Sequence, residues 1–155
     1  MKYSDVLNDM RRALQQQPDA TSAMEVAVQI LKDRIPDYTW VGIYLLEGDE
    51  LVLGPFLGKP SPHTRIPIGS GICGAAARER ETIIVDDVNA DSRYLACSLE
   101  TKSEIVVPIM SGARVLGEID IDSDQPAAFG ADDQTLLEQV AARLATRLRE
   151  LSWPV

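Results

Sequence analysis

The sequence predicts an α+β domain, an antiparallel sheet with helices packed on its faces. Apolar residues recur at helical spacing near both chain ends, over residues 5–16, 22–35 and 131–151. Between Thr39 and Asp122 the apolar period falls to two, the signature of half-buried strands. Short polar turns, Glu47-Gly48-Asp49-Glu50 and Ser111-Gly112, join pairs of those strands as hairpins. Hairpin-paired strands with helices gathered at the ends of the chain belong to the α+β class.

Each element has its own local signal. Val6, Met10 and Leu14 fall on one face of a first helix, which Pro18 stops. Ser22 and Glu25 have capping-box spacing for a second helix, whose core stripe is Met24, Val28, Leu31 and Ile35 and which Pro36 closes. Residues 39–46 and 51–56 are rich in β-branched, aromatic and aliphatic residues and read as a hairpin. Gly58 to His63 reads as a loop and Thr64 to Ile68 as a short strand. Gly71 to Arg80, with its close-packing alanines, reads as a short helix. Thr82 to Val85 is another strand, and Asp86 to Ser98 is an irregular stretch long enough to suggest function. Glu104–Met110 and Arg114–Asp122 form the second hairpin. The last helix starts near Gly130-Ala131, with Asp132 and Asp133 suiting its positive N-terminal end and Leu136, Leu137, Val140, Leu144, Leu148 and Leu151 forming its apolar face.

Composition narrows the function. A chain of 155 residues buries about 70% of its extended surface, enough for one core without metal or disulfide staples. A net charge of −9, with no lysine–arginine cluster, argues against a nucleic-acid partner. No signal-peptide core opens the chain and no stretch reaches the ~18 apolar residues of a membrane span, so a cytoplasmic location is expected and no membrane partner. In that reducing compartment both cysteines are expected as thiols.

The candidate chemistry lies in acids and thiols. Alternation along residues 114–122 puts Glu118, Asp120 and Asp122 on one face of a strand and Ile119 and Ile121 on the other. Same-face neighbours stand roughly 6–7 Å apart. Carboxyls so close repel, and partial burial raises the pKa of at least one. Glu104 occupies the face of its strand opposite Ile105, Val107 and Ile109. A solvated acidic face is the plain alternative. Cys73, in Gly69-Ser70-Gly71-Ile72-Cys73-Gly74, and Cys97, in Tyr94-Leu95-Ala96-Cys97-Ser98, sit in polar or glycine-flanked surroundings. Working thiols need such access, whereas structural ones hide in apolar runs. Cys73 stands at a tight turn into a helix, where the helix N-terminus is expected to lower its pKa. His63, alone of its kind and between prolines, reads as a surface residue, and one histidine with two cysteines shows no zinc-type ligand set, so no metal is expected.

Six strings in series carry a resemblance. Trp40-Val41-Gly42-Ile43-Tyr44, Gly54-Pro55-Phe56-Leu57-Gly58-Lys59-Pro60, Arg65-Ile66-Pro67, Gly69 to Gly74, Ser103-Glu104-Ile105-Val106-Val107-Pro108 and Gly117-Glu118-Ile119-Asp120-Ile121-Asp122-Ser123 resemble the free methionine-(R)-sulfoxide reductases, which are single GAF-domain enzymes. The resemblance implies one GAF domain over 1–155, with an N-terminal helix at 1–17 and a GAF core at 20–151. It implies about six antiparallel strands, with the N- and C-terminal helices packed on one face and a pocket on the other. It also implies a homodimer, thioredoxin as reductant and no cofactor. On matching positions, the resemblance makes Cys97 the nucleophile and Cys73 the candidate resolving thiol. Glu104, Asp120 and Asp122 match the substrate-binding acids, and Trp40 and Tyr44 the pocket aromatics.

The chain departs from the family pattern in two places. A third cysteine commonly follows the Gly-Lys-Pro string, and here Ser61-Pro62-His63-Thr64 stands there. The residue after the nucleophile is often acidic and here is Ser98, while Arg93 nearby is a candidate for lowering the Cys97 pKa. The chemistry implied is attack of Cys97 on the sulfoxide sulfur, with Glu104 or Asp122 as proton donor and the other acids on the ammonium of a free amino acid. Two further readings stay open: a GAF module that binds a small ligand without turning it over, and a thiol redox sensor using Cys73 and Cys97.

Overall fold

The protein is described from a computed structural model, over residues 2–95 and 99–153. Its elements run α1 (Ser4–Gln16), α2 (Ala20–Arg34), β1 (Trp40–Glu47), β2 (Glu50–Leu57), β3 (Arg65–Pro67), α3 (Gly71–Glu79), β4 (Ile83–Val85), β5 (Ser103–Ser111), β6 (Arg114–Ser123) and α4 (Ala131–Glu150). Six strands make one sheet in the order β3-β2-β1-β6-β5-β4, and every neighbouring pair is antiparallel. The α+β class and both hairpins are as the sequence predicts. The two outermost strands have three residues each, leaving little free edge for unwanted pairing.

One face of the sheet carries the main core. Val41, Ile43, Ile105, Val107, Ile119 and Ile121 project from three central strands towards the helices and are essentially inaccessible to solvent. Helices α2 and α4 cover this face, with Leu31 of α2 and Leu137, Val140 and Leu144 of α4 in the same core. Helix α1 packs against both helices through Met10 and Leu14. Fully burying an aliphatic side chain of this size contributes about 1.5–3 kcal/mol, so this half of the molecule carries most of the driving force.

The other face is covered by α3 and the segment after β4, with Ile66 of β3 in the same apolar cluster. Gly74 lets α3 dock there. A Cβ at that position would lie 2.6 Å from the Pro67 carbonyl oxygen and 2.8 Å from the Gly69 nitrogen, so any larger residue pushes α3 off the sheet. Gly71 has φ +66°, and its missing side chain leaves space that Leu95 fills.

One helix start differs from the sequence reading, and the start of α4, which falls where the sequence places it, carries a buried carboxylate. Helix α2 begins at Ala20, and its cap is Asp19, whose carboxylate accepts from the Ser22 amide at 2.8 Å. Ser22 therefore sits inside the first turn, and the Ser22–Glu25 spacing is not the opening pair. An aspartate caps as well as a serine, and the aspartate came first in the chain. At α4, Asp133 accepts from the Gly130 amide at 2.9 Å and from the phenols of Tyr38 at 2.7 Å and Tyr3 at 3.2 Å. That buried carboxylate ties α4 to the start of the chain and to the approach to β1. We expect Asp133→Ala to destabilise the fold by about 2 kcal/mol, from loss of a cap and two phenol partners. Urea unfolding measures it, and an unshifted midpoint would assign no stabilising role to these bonds.

Candidate active site

The site is built on the sheet face opposite the main core. Strand register sets it: Glu104 of β5 lies opposite Asp122 of β6, and Val106 lies opposite Asp120. On the other side of β6, Trp40 pairs with Asp122, Gly42 with Asp120 and Tyr44 with Glu118. Directly opposed residues have Cβ atoms about 4.5–5.5 Å apart, so these four carboxyl groups form one cluster. The expected sharing of a face by Glu118, Asp120 and Asp122 holds, and Glu104 joins them across the hairpin.

The alternative of a solvated acidic face does not hold. Glu104, Glu118, Asp120 and Asp122 are 5%, 0%, 2% and 3% exposed. Both Glu118 oxygens and one oxygen each of Asp120 and Asp122 are buried without a hydrogen-bond partner among the described residues. Burial pushes all four carboxyl groups above the usual carboxylate range. The negative charges of Asp120 and Asp122 raise Glu104 further, and it shares hydrogen bonds with both. Asp120 raises Glu118 and Asp122, while the neighbouring Cys73 thiol partly offsets the rise at Glu118. Glu104, between two carboxyl groups, is thus placed to hold a proton at neutral pH.

Cys73 lies in the first turn of α3, buried above the same acids. Its thiol is pushed well above the ordinary cysteine value, first by burial and then by Asp120, Glu118 and Glu104. The expectation that a helix N-terminus lowers this pKa is overturned. The dipole is worth at most about 1 kcal/mol in ordinary geometry, less than full burial beside three carboxyls. Cys97 lies outside the described residues.

The two aromatics stand on the same face, each fixed by its polar atom. The Trp40 indole N–H donates to the Lys59 carbonyl at 2.8 Å, and its ring stacks on Phe56 with centroids 5.7 Å apart. The Tyr44 hydroxyl donates to the His63 carbonyl at 2.7 Å. His63 is half-buried at the wall of the site, not a surface residue as its loop suggested. Arg93 does not present a free charge: its guanidinium is held by Asp91 at 2.8–3.0 Å and reaches Glu79 at 4.0 Å.

Two spaces adjoin this cluster. An inner cavity of about 20 Å³ is lined by Tyr44, His63, Cys73, Leu95, Glu104 and Asp120. An outer cleft of about 410 Å³ has Trp40 and Asp122 in its wall, with Lys59, Glu100 and Thr101 beside them. The outer cleft has the size of a small-molecule site, while the inner cavity holds about one water. The sequence reading missed Glu118 as a site residue, although its alternation with Asp120 was visible. It also missed Leu95 and the Lys59–Glu100 ion pair, for which no local signal existed.

The comparisons agree with this fold. The GAF domain model matches residues 19–148. The free methionine-R-sulfoxide reductase of Escherichia coli (strain K12) is 34% identical over 142 residues, covering 92% of this chain and 86% of that protein. The chain belongs to the free methionine-R-sulfoxide reductase family of GAF-domain proteins. Among solved members, the enzyme from Neisseria meningitidis in complex with its substrate superposes with a TM-score of 0.93 at 36% identity, covering 99% of this chain and 92% of that one. The type II enzyme from Thermoplasma acidophilum superposes with a TM-score of 0.81 at 41% identity, covering 85% and 94%. Among the described residues, no helix is long and apolar enough to cross a membrane.

Glu118 gives the site a measurable signature. Its folded pKa lies above its unfolded value of about 4.5, so the folded state binds more protons. Stability from this group is therefore complete below the unfolded pKa and is lost as pH rises towards the folded one. Glu118→Gln removes that loss, and we expect it to raise Tm at pH 8 by several degrees and by clearly less at pH 5. A gain equal at both pH values would show that Glu118 does not change protonation on folding.

Proposed function

We propose that this protein reduces free methionine-(R)-sulfoxide to methionine, with Cys97 as nucleophile. The observation that carries the reading is the buried Glu104–Asp120–Asp122 cluster, in a chain of this family. A buried anionic cluster suits the ammonium of a free amino acid, and a carboxyl group held protonated suits an oxygen that must leave as water. A peptide-bound methionine lacks that ammonium, which accounts for a free substrate.

In the proposed reaction the Cys97 sulfur attacks the sulfoxide sulfur while Glu104, or Asp122, protonates the oxygen. The protonated oxygen leaves as water, giving a sulfonium adduct on the Cys97 sulfur. Water then attacks the Cys97 sulfur, breaking its bond to the substrate, releasing methionine and leaving Cys97 as a sulfenic acid. Cys73 then condenses with it, releasing water and forming a disulfide. Thioredoxin, a dithiol, reduces that disulfide and is itself oxidised. Trp40 packs the apolar part of the substrate beside Asp122, and Tyr44 shapes the inner wall. Because the inner cavity is only about 20 Å³, a substrate that reaches Asp120 must displace lining side chains. The reading includes a homodimer and a cytoplasmic setting, where reduced thiols persist.

Thioredoxin-coupled NADPH consumption with each epimer of free methionine sulfoxide tests this. We expect turnover of the R epimer alone, abolished in Cys97→Ser. Absence of turnover with either epimer would move the assignment to a ligand-binding GAF module. Glu104→Gln and Asp122→Asn should each lower kcat/KM by ~10²-fold or more with the fold intact. Near-normal rates in both would remove the acids from the chemistry.

The resolving step has its own test. Cys73→Ser should leave single-turnover methionine release intact and trap Cys97 as a sulfenic acid, with slow thioredoxin-driven turnover. Unchanged turnover would mean that reduction proceeds directly at Cys97 and that Cys73 serves another end.

A further inference from the structure

We propose that Cys73, Glu104 and Asp120 form a three-donor site for a borderline divalent cation of the Zn²⁺ class. Their Sγ and carboxylate oxygens lie within 4.8 Å of one another, and all three residues are buried. They come from α3, β5 and β6, three elements that meet only in the fold, which is why no ligand spacing shows in the sequence. Among the described residues this is the one such convergence.

Two independent observations point to a guest at this place. The Asp120 carboxyl lines the inner cavity and has a buried oxygen with no hydrogen-bond partner among the described residues. The cavity, about 20 Å³, has room for a single ion or water and little more. Buried carboxyl oxygens rarely stay unpaired, because each costs its full desolvation penalty. Asp122 and Glu118, beside the cluster, also have buried oxygens with no hydrogen-bond partner among the described residues, and a dication would offset the charge such a face carries when ionised.

Donor chemistry selects the ion class. Calcium takes six to eight oxygens and magnesium keeps several waters, and a one-ion cavity walled partly by a thiol offers neither. A thiolate with two carboxylates suits Zn²⁺ and its congeners, with a fourth position left open. Bonds of about 2.0–2.3 Å put tetrahedral ligand atoms about 3.5 Å apart, so the cluster closes by small side-chain rotations. Cys73 gives up its proton as the ion binds. On the reductase reading, the same carboxyls receive the substrate ammonium, so ion and substrate exclude each other. That exclusion rests on the reading; the site itself does not.

The test is titration of the full, reduced protein with Zn²⁺ alone by equilibrium dialysis and with Co²⁺ alone by absorbance. We expect one ion per chain and a sulfur-to-cobalt charge-transfer band in wild type and in Cys97→Ser. We expect the band to vanish in Cys73→Ser and Zn²⁺ affinity to fall more than ~10²-fold there and in Asp120→Asn, beyond the cost typical of an outer-shell partner. Circular dichroism checks that each variant folds, and Glu104→Gln is the substitute should one fail. No stoichiometric binding, or binding unchanged in Cys73→Ser, overturns the proposal. So does a band that disappears only in Cys97→Ser, since the ion then belongs to the other thiol. Free methionine-(R)-sulfoxide should weaken Zn²⁺ binding to the wild type. Intact Zn²⁺ binding that ignores the sulfoxide keeps the site and removes the shared pocket.

Discussion

Burial of four carboxyl groups on one face of the β5–β6 hairpin is the constraint around which the molecule is organised. An isolated ionised carboxylate in a protein interior costs several kcal/mol, so such a face persists only if its groups are protonated, share protons or meet a cation. The fold supplies the first two. Glu104 is held between Asp120 and Asp122, so a proton on it is donated to one of two neighbouring carboxyl groups. The cluster is therefore a proton store by construction, whatever molecule it receives.

The rest of the structure offsets that cost. Strand β6 is central and buried on both faces, with Ile119 and Ile121 in the helix-side core and the acids on the other face. A one-residue slip of β6 would exchange the two sets, placing carboxyls among the leucines of α4 and isoleucines among the site groups. Register is thus fixed far more firmly than hairpin turns alone would fix it. Gly74 matters for a related reason, because α3 brings Cys73 onto the acids only while its backbone can approach Pro67 and Gly69.

Much of this was legible in the chain. Helices and hairpins were, because their periods differ and glycine and proline punctuate them. The acid face was, because alternation is a local property of β6. Its burial was not, since the cover comes from residues 65–95, which carry no mark of which face they will occupy. For the same reason His63 looked like a surface residue, although its carbonyl holds the Tyr44 hydroxyl. Asp19 was overlooked as a cap because Ser22 and Glu25 showed the more familiar spacing. The three-donor convergence of Cys73, Glu104 and Asp120 left no trace in sequence spacing at all, since each residue comes from a different element.

Cys73 shows how a local rule and a tertiary environment compete. Its place in the first turn of α3 favours a thiolate, but that effect is worth about 0.3–1 kcal/mol and is a property of the helix end alone. Burial can shift a pKa by up to 3–5 units, and three nearby carboxyls act in the same direction. The environment wins, so in the closed pocket Cys73 is a protonated, poorly nucleophilic thiol. For it to attack a sulfenic acid, water or a positive charge must first reach the cluster. On the proposed reaction a substrate ammonium would do this while bound, and the proposed dication would do it more strongly but would occupy the thiol. If Cys73 resolves a sulfenic acid as proposed, the cluster that disfavours its thiolate at rest would link its reactivity to what enters the cavity.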